Sequence, residues 1–241
     1  LTRALAGPHA AMMLGDLGAR VIKIESPAGD DSRGWGPPFA GPADAPEATY
    51  FLSCNRNKES VVLDLKTAAA QATLARLVEH ADVLVENFRT GVFDRLGFPV
   101  ARLHELNPRL VVLSITGFGH DGPEGGRPGY DQIAQGEAGL MSLTGPAADE
   151  PTRVGVPIAD LLAGMYGAYG VLAALHERAR TGRGSTVRTS LLAAVVGVHG
   201  AAAREVIVQR GFQKKLHGHE DVAALDPHFV ARNLLVLVHR V

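Results

Sequence analysis

Leu110-Val-Val-Leu-Ser-Ile115 reads LVVLSI, an apolar run broken by one serine. A run this short and nearly unbroken is the pattern of a strand buried on both faces, whereas a half-wet strand alternates apolar and polar residues. Upstream, Asp82-Val-Leu-Val-Glu86 repeats the pattern, and Arg20–Glu25 and Ser60–Leu65 read as two further strands. Helix signals lie between them. Gly7-Pro8 precedes His9–Leu17, which stops at Gly18, and Thr67–His80 is an alanine-rich helix. Strands alternating with helices predict an α/β, doubly wound, parallel sheet.

Further along, residues 26–47 are dense in Gly and Pro and read as a surface loop. From Tyr130 the chain turns helical, with helices predicted over 130–141 and 160–180 and a stop at Thr181-Gly-Arg-Gly184. A strand over Thr186–Ser190 and a helix over 191–212 follow, while the tail 213–241 continues no earlier pattern. The chain opens at Leu1 without methionine and closes on an apolar run, so it reads as a piece of a longer protein.

The 241 residues are 46% hydrophobic and 20% charged, with a formal net charge of -1. That balance fits a globular protein and argues against a nucleic-acid binder, which would need excess cations. No apolar run approaches the ~20 residues of a membrane span, so no membrane partner is expected. The single cysteine, Cys54, rules out an intrachain disulfide framework and suits a reducing cytoplasm.

Several residues invite chemistry. Val21-Ile-Lys-Ile-Glu25 is a strand ending in an acid, as in dinucleotide folds, yet Ala6-Gly7-Pro8-His9-Ala10 is no GxGxxG turn. Glu25 is therefore read as structural. Asn57, Lys58, Lys66, Asn87, Phe88, Arg89 and Arg95 lie near strand ends, where cationic side chains suit phosphates. His217, His219 and His228 match no closed ligand set, so no metal is expected. Asp131 and Asp160 each stand at a predicted helix start, where an N-cap explains a carboxylate. Asp160 is nonetheless the only charge in VGVPIADLLAGMYGAYG (154–170), and a carboxylate among apolar residues is costly unless paired.

The stretches LAGPHAAMMLGDLGARVIKIESP, NRNKESVVLDLK, ADVLVENFRTGVFDRLG, LNPRLVVLSITGFGHDGP, GYDQIAQGEAGLMSLTG and VPIADLLAGMYGAYGVLAALHERARTGRGSTV together resemble the class III CoA-transferase (CaiB/BaiF) family from Leu1 to about Gly211. The resemblance implies a Rossmann-like large domain over 1–190 lacking its first strand, a linker helix over 191–212 toward a small domain, and an atypical tail over 213–241. It also implies two subunits interlocked as a homodimer. By the same resemblance Asp160 is the nucleophile, forming a covalent aspartyl-CoA thioester during exchange of CoA between an acyl-CoA and a small carboxylic acid. Coenzyme A is then a substrate, with no permanently bound cofactor. Its contacts map to Leu5, Ala6, Leu63, Asp64, Leu65, Lys66, Asn87, Phe88, Arg89, Arg95, Pro128, Gly129, Tyr130 and Asp131.

Leu5 stands where the formyl-CoA transferase branch has glutamine, so formyl or oxalate specificity is not implied, and Ser26 stands where it has arginine, which removes one phosphate contact. The family's racemase branch uses a histidine where Tyr130 stands here. An unperturbed phenol is a poor base at neutral pH, which favours transferase over a 2-methylacyl-CoA racemase or epimerase. A third reading is a truncated remnant that binds CoA without catalysis.

Overall fold

The described residues of the computed structural model are 1–147 and 149–198, with the backbone of 237–240. In chain order they form α1 (Ala6–Asp16), β1 (Val21–Glu25), β2 (Phe39–Ala40), β3 (Glu47–Ala48), α2 (Thr49–Asn55), β4 (Lys58–Val62) and α3 (Ala68–His80). Then come β5 (Val83–Glu86), α4 (Val92–Arg95), α5 (Val100–Leu106), β6 (Val111–Thr116), α6 (Asp131–Glu137) and α7 (Leu140–Thr144). The last are α8 (Ile158–Thr181), β7 (Ser185–Ser190) and β8 (Leu237–Arg240).

The LVVLSI strand sits where its composition puts it. Every residue of β6 is buried, with β5 and β7 pairing parallel on either side. Its alternate side chains enter two cores. Val111, Leu113 and Ile115 meet α1, α6 and α8, whereas Val112 meets α3, α5, Phe93 and Phe98. Helices on both faces make the sheet doubly wound, as the near-continuous apolar strands predict. β8 adds an antiparallel edge to β7. β1 and β4 form a separate parallel ladder.

α8 crosses closest to its neighbours through small residues. A Cβ on Gly164 would lie 2.7 Å from the carbonyl oxygen of Ala6, and one on Gly167 would lie 3.0 Å from a Leu113 methyl. Without side chains at these positions α8 lies directly on α1 and on β6. At 24 residues with a mean hydropathy of 1.5 over its most apolar window, α8 is long and apolar enough to cross a membrane, which corrects the sequence reading. Its small residues lie instead in the core beside β6 and β7.

Other corrections are local. The first helix starts at Ala6, with Pro8 inside its first turn, where no intrahelical donor is needed. β4 begins at Lys58 and ends at Val62, earlier than the predicted strand. The predicted helix 130–141 is two, because Gly139 takes a left-handed conformation (φ 81°) between α6 and α7. The short helices α2, α4 and α5 were not legible. Residues 191–198 are helical, and the rest of the predicted 191–212 helix lies outside the described residues, as do His217, His219 and His228.

Candidate active site

A cleft of about 260 Å³ opens where the loops after β5 and β6 meet the N-termini of α1, α6 and α8. This is the C-terminal edge of a parallel sheet, where open α/β folds bind ligands. Asp160 is in its wall, in the first turn of α8.

Sequence periodicity makes both Asp131 and Asp160 helix caps, and the structure revises this. The N-cap position of α8 is Pro157, which supplies no side-chain bond. The orphan donors of that helix are met by Asp131, which stands on α6. Its Oδ1 accepts the N–H of Ala159 at 2.7 Å and of Asp160 at 3.2 Å. Its Oδ2 accepts Gln135 Nε2 at 2.6 Å, and Gln135 Oε1 accepts the N–H of Val154 at 2.8 Å. Asp131 and Gln135 are both buried, so this bridge locks the approach to α8 onto α6.

Asp160 is thereby left free of any capping duty. Burial, and then the nearby Asp131 carboxylate, push it up from 3.8 to about 7, while a backbone hydrogen bond from Ala6 pulls the other way. Tyr50, also in the wall, is pushed up to about 12 by burial and by Asp160, so its phenol stays protonated. Trp35 meets Tyr50 edge-on at 5.1 Å between ring centroids.

The loop carrying Trp35 is anchored by a buried charge network. Lys23 Nζ bonds Asp30 Oδ2 at 2.7 Å, and Glu25 receives Arg33 through both oxygens at 2.8 and 2.9 Å. Hydrogen bonding from Arg33 holds Glu25 down at about 2. Glu25 thus fastens the loop to β1. Behind the cleft-lining turn of Asn87, Phe88 and Arg89, Glu86 accepts the N–H of Phe88 at 2.9 Å and the hydroxyl of Ser114, which fixes that turn.

Of the residues mapped from the resemblance, Ala6, Asn87, Phe88, Arg89, Pro128, Gly129, Tyr130 and Asp131 line the cleft with Asp160. Leu5, Leu63, Asp64, Leu65, Lys66 and Arg95 are not among its lining residues. Leu5 is buried before α1, and Leu65 belongs to the α3 core with Leu63 against it. Lys58 is no phosphate ligand here. Its ammonium donates to the carbonyls of Pro8 and Cys54 at 2.7 Å and to Asn55 Oδ1 at 2.9 Å, and burial lowers it to about 7. Asn57 is likewise engaged, with Asp16 at 2.8 Å.

Sequence reading missed Arg3, Trp35, Tyr50 and Arg127, all in the cleft wall. Trp35 carried one signal, as the chain's only tryptophan in a Gly- and Pro-rich loop. Among the described residues no group of three His, Cys, Asp or Glu side chains is placed to hold a metal ion.

The family model for CoA-transferase family III matches residues 1–237. A succinate–glutarate CoA-transferase of Agrobacterium fabrum is 46% identical over 80% of the chain and 49% of its own length. A human succinyl-CoA:glutarate CoA-transferase is 44% identical over 81% of the chain and 44% of its own length. The chain therefore spans about half the length of these curated relatives. A crystal structure of a CAIB/BAIF family protein from Brucella suis superposes with a TM-score of 0.83 at 44% identity, covering 87% of this chain and 56% of that one.

Proposed function

The chain belongs to CoA-transferase family III, and from that premise we propose that it carries the nucleophilic site of an acyl-CoA:carboxylate CoA-transferase, with Asp160 as the nucleophile. One observation carries the reading: Asp160 is a partly buried carboxylate, raised to about 7, at the edge of a ligand-sized cleft. A carboxylate of that basicity is a better nucleophile than an ordinary one, and at neutral pH a substantial fraction is still ionised.

In the proposed sequence, Asp160 attacks the thioester carbonyl and expels CoA thiolate, leaving a mixed anhydride. The thiolate attacks the aspartyl carbonyl, releasing the first acid and leaving an aspartyl-CoA thioester. An incoming carboxylate then attacks that thioester, and the expelled thiolate attacks the new acyl carbonyl, regenerating the Asp160 carboxylate. Each bond made replaces one broken, so the exchange needs no net proton. Water must be excluded, because it would hydrolyse the anhydride. The α1–α8 crossing on one side and the Trp35–Tyr50 pair on the other support that exclusion. Glutarate and succinate, in the relatives' names, are dicarboxylic acids, and we assign the substrates to that class.

The CoA body is proposed to follow Asn87, Phe88 and Arg89, with Leu5, Leu63 to Lys66 and Arg95 serving its remote end. Family membership also supports a homodimer. Apolar side chains in solvent, such as Val62 on β4 (61% exposed) and Tyr169 on α8 (57%), are suited to a partner surface.

Trapping tests the nucleophile in the full-length protein. Acyl-CoA followed by hydroxylamine should convert Asp160 to its hydroxamate, seen by peptide mass spectrometry. An Asp160→Ala enzyme that still transfers CoA would overturn the assignment.

A further inference from the structure

We propose that Arg3 is the specificity-determining residue that receives the distal carboxylate of a dicarboxylic acyl group held over Asp160. This rests on the CoA-transferase reading of the cleft. Among the described residues three arginines line it: Arg3, Arg89 and Arg127. The Arg127 charge is already spent, on Glu124 at 2.9 Å and Glu137 at 2.8 Å, and its guanidinium lies over the Phe118 ring. Arg89 stands on the wall proposed for CoA. That leaves Arg3.

The backbone at Arg3 is clamped. Asn87 accepts the Arg3 N–H at 3.0 Å and donates to its carbonyl at 2.9 Å. On one side Lys23 Nζ donates to the Thr2 carbonyl at 2.9 Å, and on the other Asp30 accepts the Ala4 N–H at 3.2 Å. Ala4 is held in the left-handed region (φ 62°), which a non-glycine residue rarely adopts and which a surrounding structure must enforce. Among the described residues the Arg3 side chain, by contrast, meets Asp31 alone, at 3.3 Å, with both side chains more than half exposed. Such a surface pair is worth little and is readily exchanged.

A rigid mount with an uncommitted, planar guanidinium suits bidentate capture of a carboxylate. It lies just before Ala6, whose main chain hydrogen-bonds Asp160, so reader and nucleophile share one rim of the cleft. An acid with a second negative charge, entering beside Asp160 and Asp131, needs a cation there, and a monocarboxylic acid of equal length does not.

The test compares label exchange between succinyl-CoA and succinate with exchange between butyryl-CoA and butyrate, using full-length wild type, Arg3→Gln and Arg3→Lys. Loss of a charged hydrogen-bond pair predicts a fall in kcat/KM of about 10- to 100-fold for succinate exchange in Arg3→Gln. Arg3→Lys should fall between Arg3→Gln and wild type, and butyrate exchange should change less than about twofold in both. The clamp uses only the backbone of Arg3, so both variants should keep the wild-type unfolding midpoint. Equal losses on both acids, or none on either, would overturn the role of Arg3. Wild type exchanging butyrate as fast as succinate, with Asp160→Ala inactive, would overturn it while sparing the nucleophile. Exchange that survives in Asp160→Ala would strike the underlying reading instead.

Discussion

Replacing Asp160 by asparagine should stabilise the fold at neutral pH while abolishing transfer. The carboxyl stands raised from 3.8 to about 7 in the folded chain, chiefly by burial. Between those values the native state keeps a proton that the unfolded chain has released. Native proteins then bind more protons than unfolded ones, so unfolding free energy falls as pH rises through this window. About three units at ~1.4 kcal/mol each give a penalty of about 4 kcal/mol above neutrality and none below the ordinary carboxylate range. The cleft admits some water to the carboxylate, so about 2–4 kcal/mol is the expected gain for Asp160→Asn at pH 8. Asparagine keeps the shape and an acceptor for the Ala6 main chain. For a domain of this size that corresponds to roughly 5–15 °C in Tm. Urea unfolding of both proteins from pH 4 to 8 would measure it, since titrating groups not coupled to Asp160 cancel in the difference. The two curves should converge at the acid end and part as pH rises. Parallel curves, or a less stable Asp160→Asn at pH 8, would refute the picture of a strained nucleophile whose cost the rest of the fold carries.

Two further perturbations probe the same corner. Asp131→Ala strips acceptors from the N–H groups of Ala159 and Asp160 and from Gln135, so a loss of about 1–3 kcal/mol is expected in urea unfolding. Asp131→Asn keeps an acceptor and should cost less, and by removing a like charge it should move the pH profile of Asp160 trapping to lower pH. Gly164→Val sets a Cβ 2.7 Å from the Ala6 carbonyl and should cost about 1–3 kcal/mol by forcing α1 off α8. Gly155→Ala, whose Cβ would meet nothing within 4 Å, should leave the midpoint unchanged.

The centre of the sheet was legible because β6 is buried along its whole length, and burial writes itself into composition. The helices between them were legible from periodicity and stop signals. What escaped was whatever depended on a partner distant in sequence. Lys58 looks like a phosphate ligand by position, yet it is consumed by the carbonyls of Pro8 and Cys54. Nothing near Lys58 in sequence announces the acceptor at Pro8. Arg3 belongs to none of the patterns that singled out candidate residues in the sequence. Its interest comes from Asn87, 84 residues away, which holds its main chain at both ends.

The two carboxylates show why local reading misassigned them. Each lies in the first turn of a helix, where the donors left over by helix geometry invite an acidic side chain. Pattern alone gives each helix its own acid. In the fold, α6 delivers Asp131 to the start of α8, 28 residues downstream. Once those donors are satisfied, Asp160 has no capping partner to lower it, and the same Asp131 charge raises it further. One long-range hydrogen-bond arrangement therefore both completes the helix and frees the acid proposed as nucleophile. Removing Asp131 should consequently disturb stability and the titration of Asp160 together, and a variant that changed one without the other would separate the two roles.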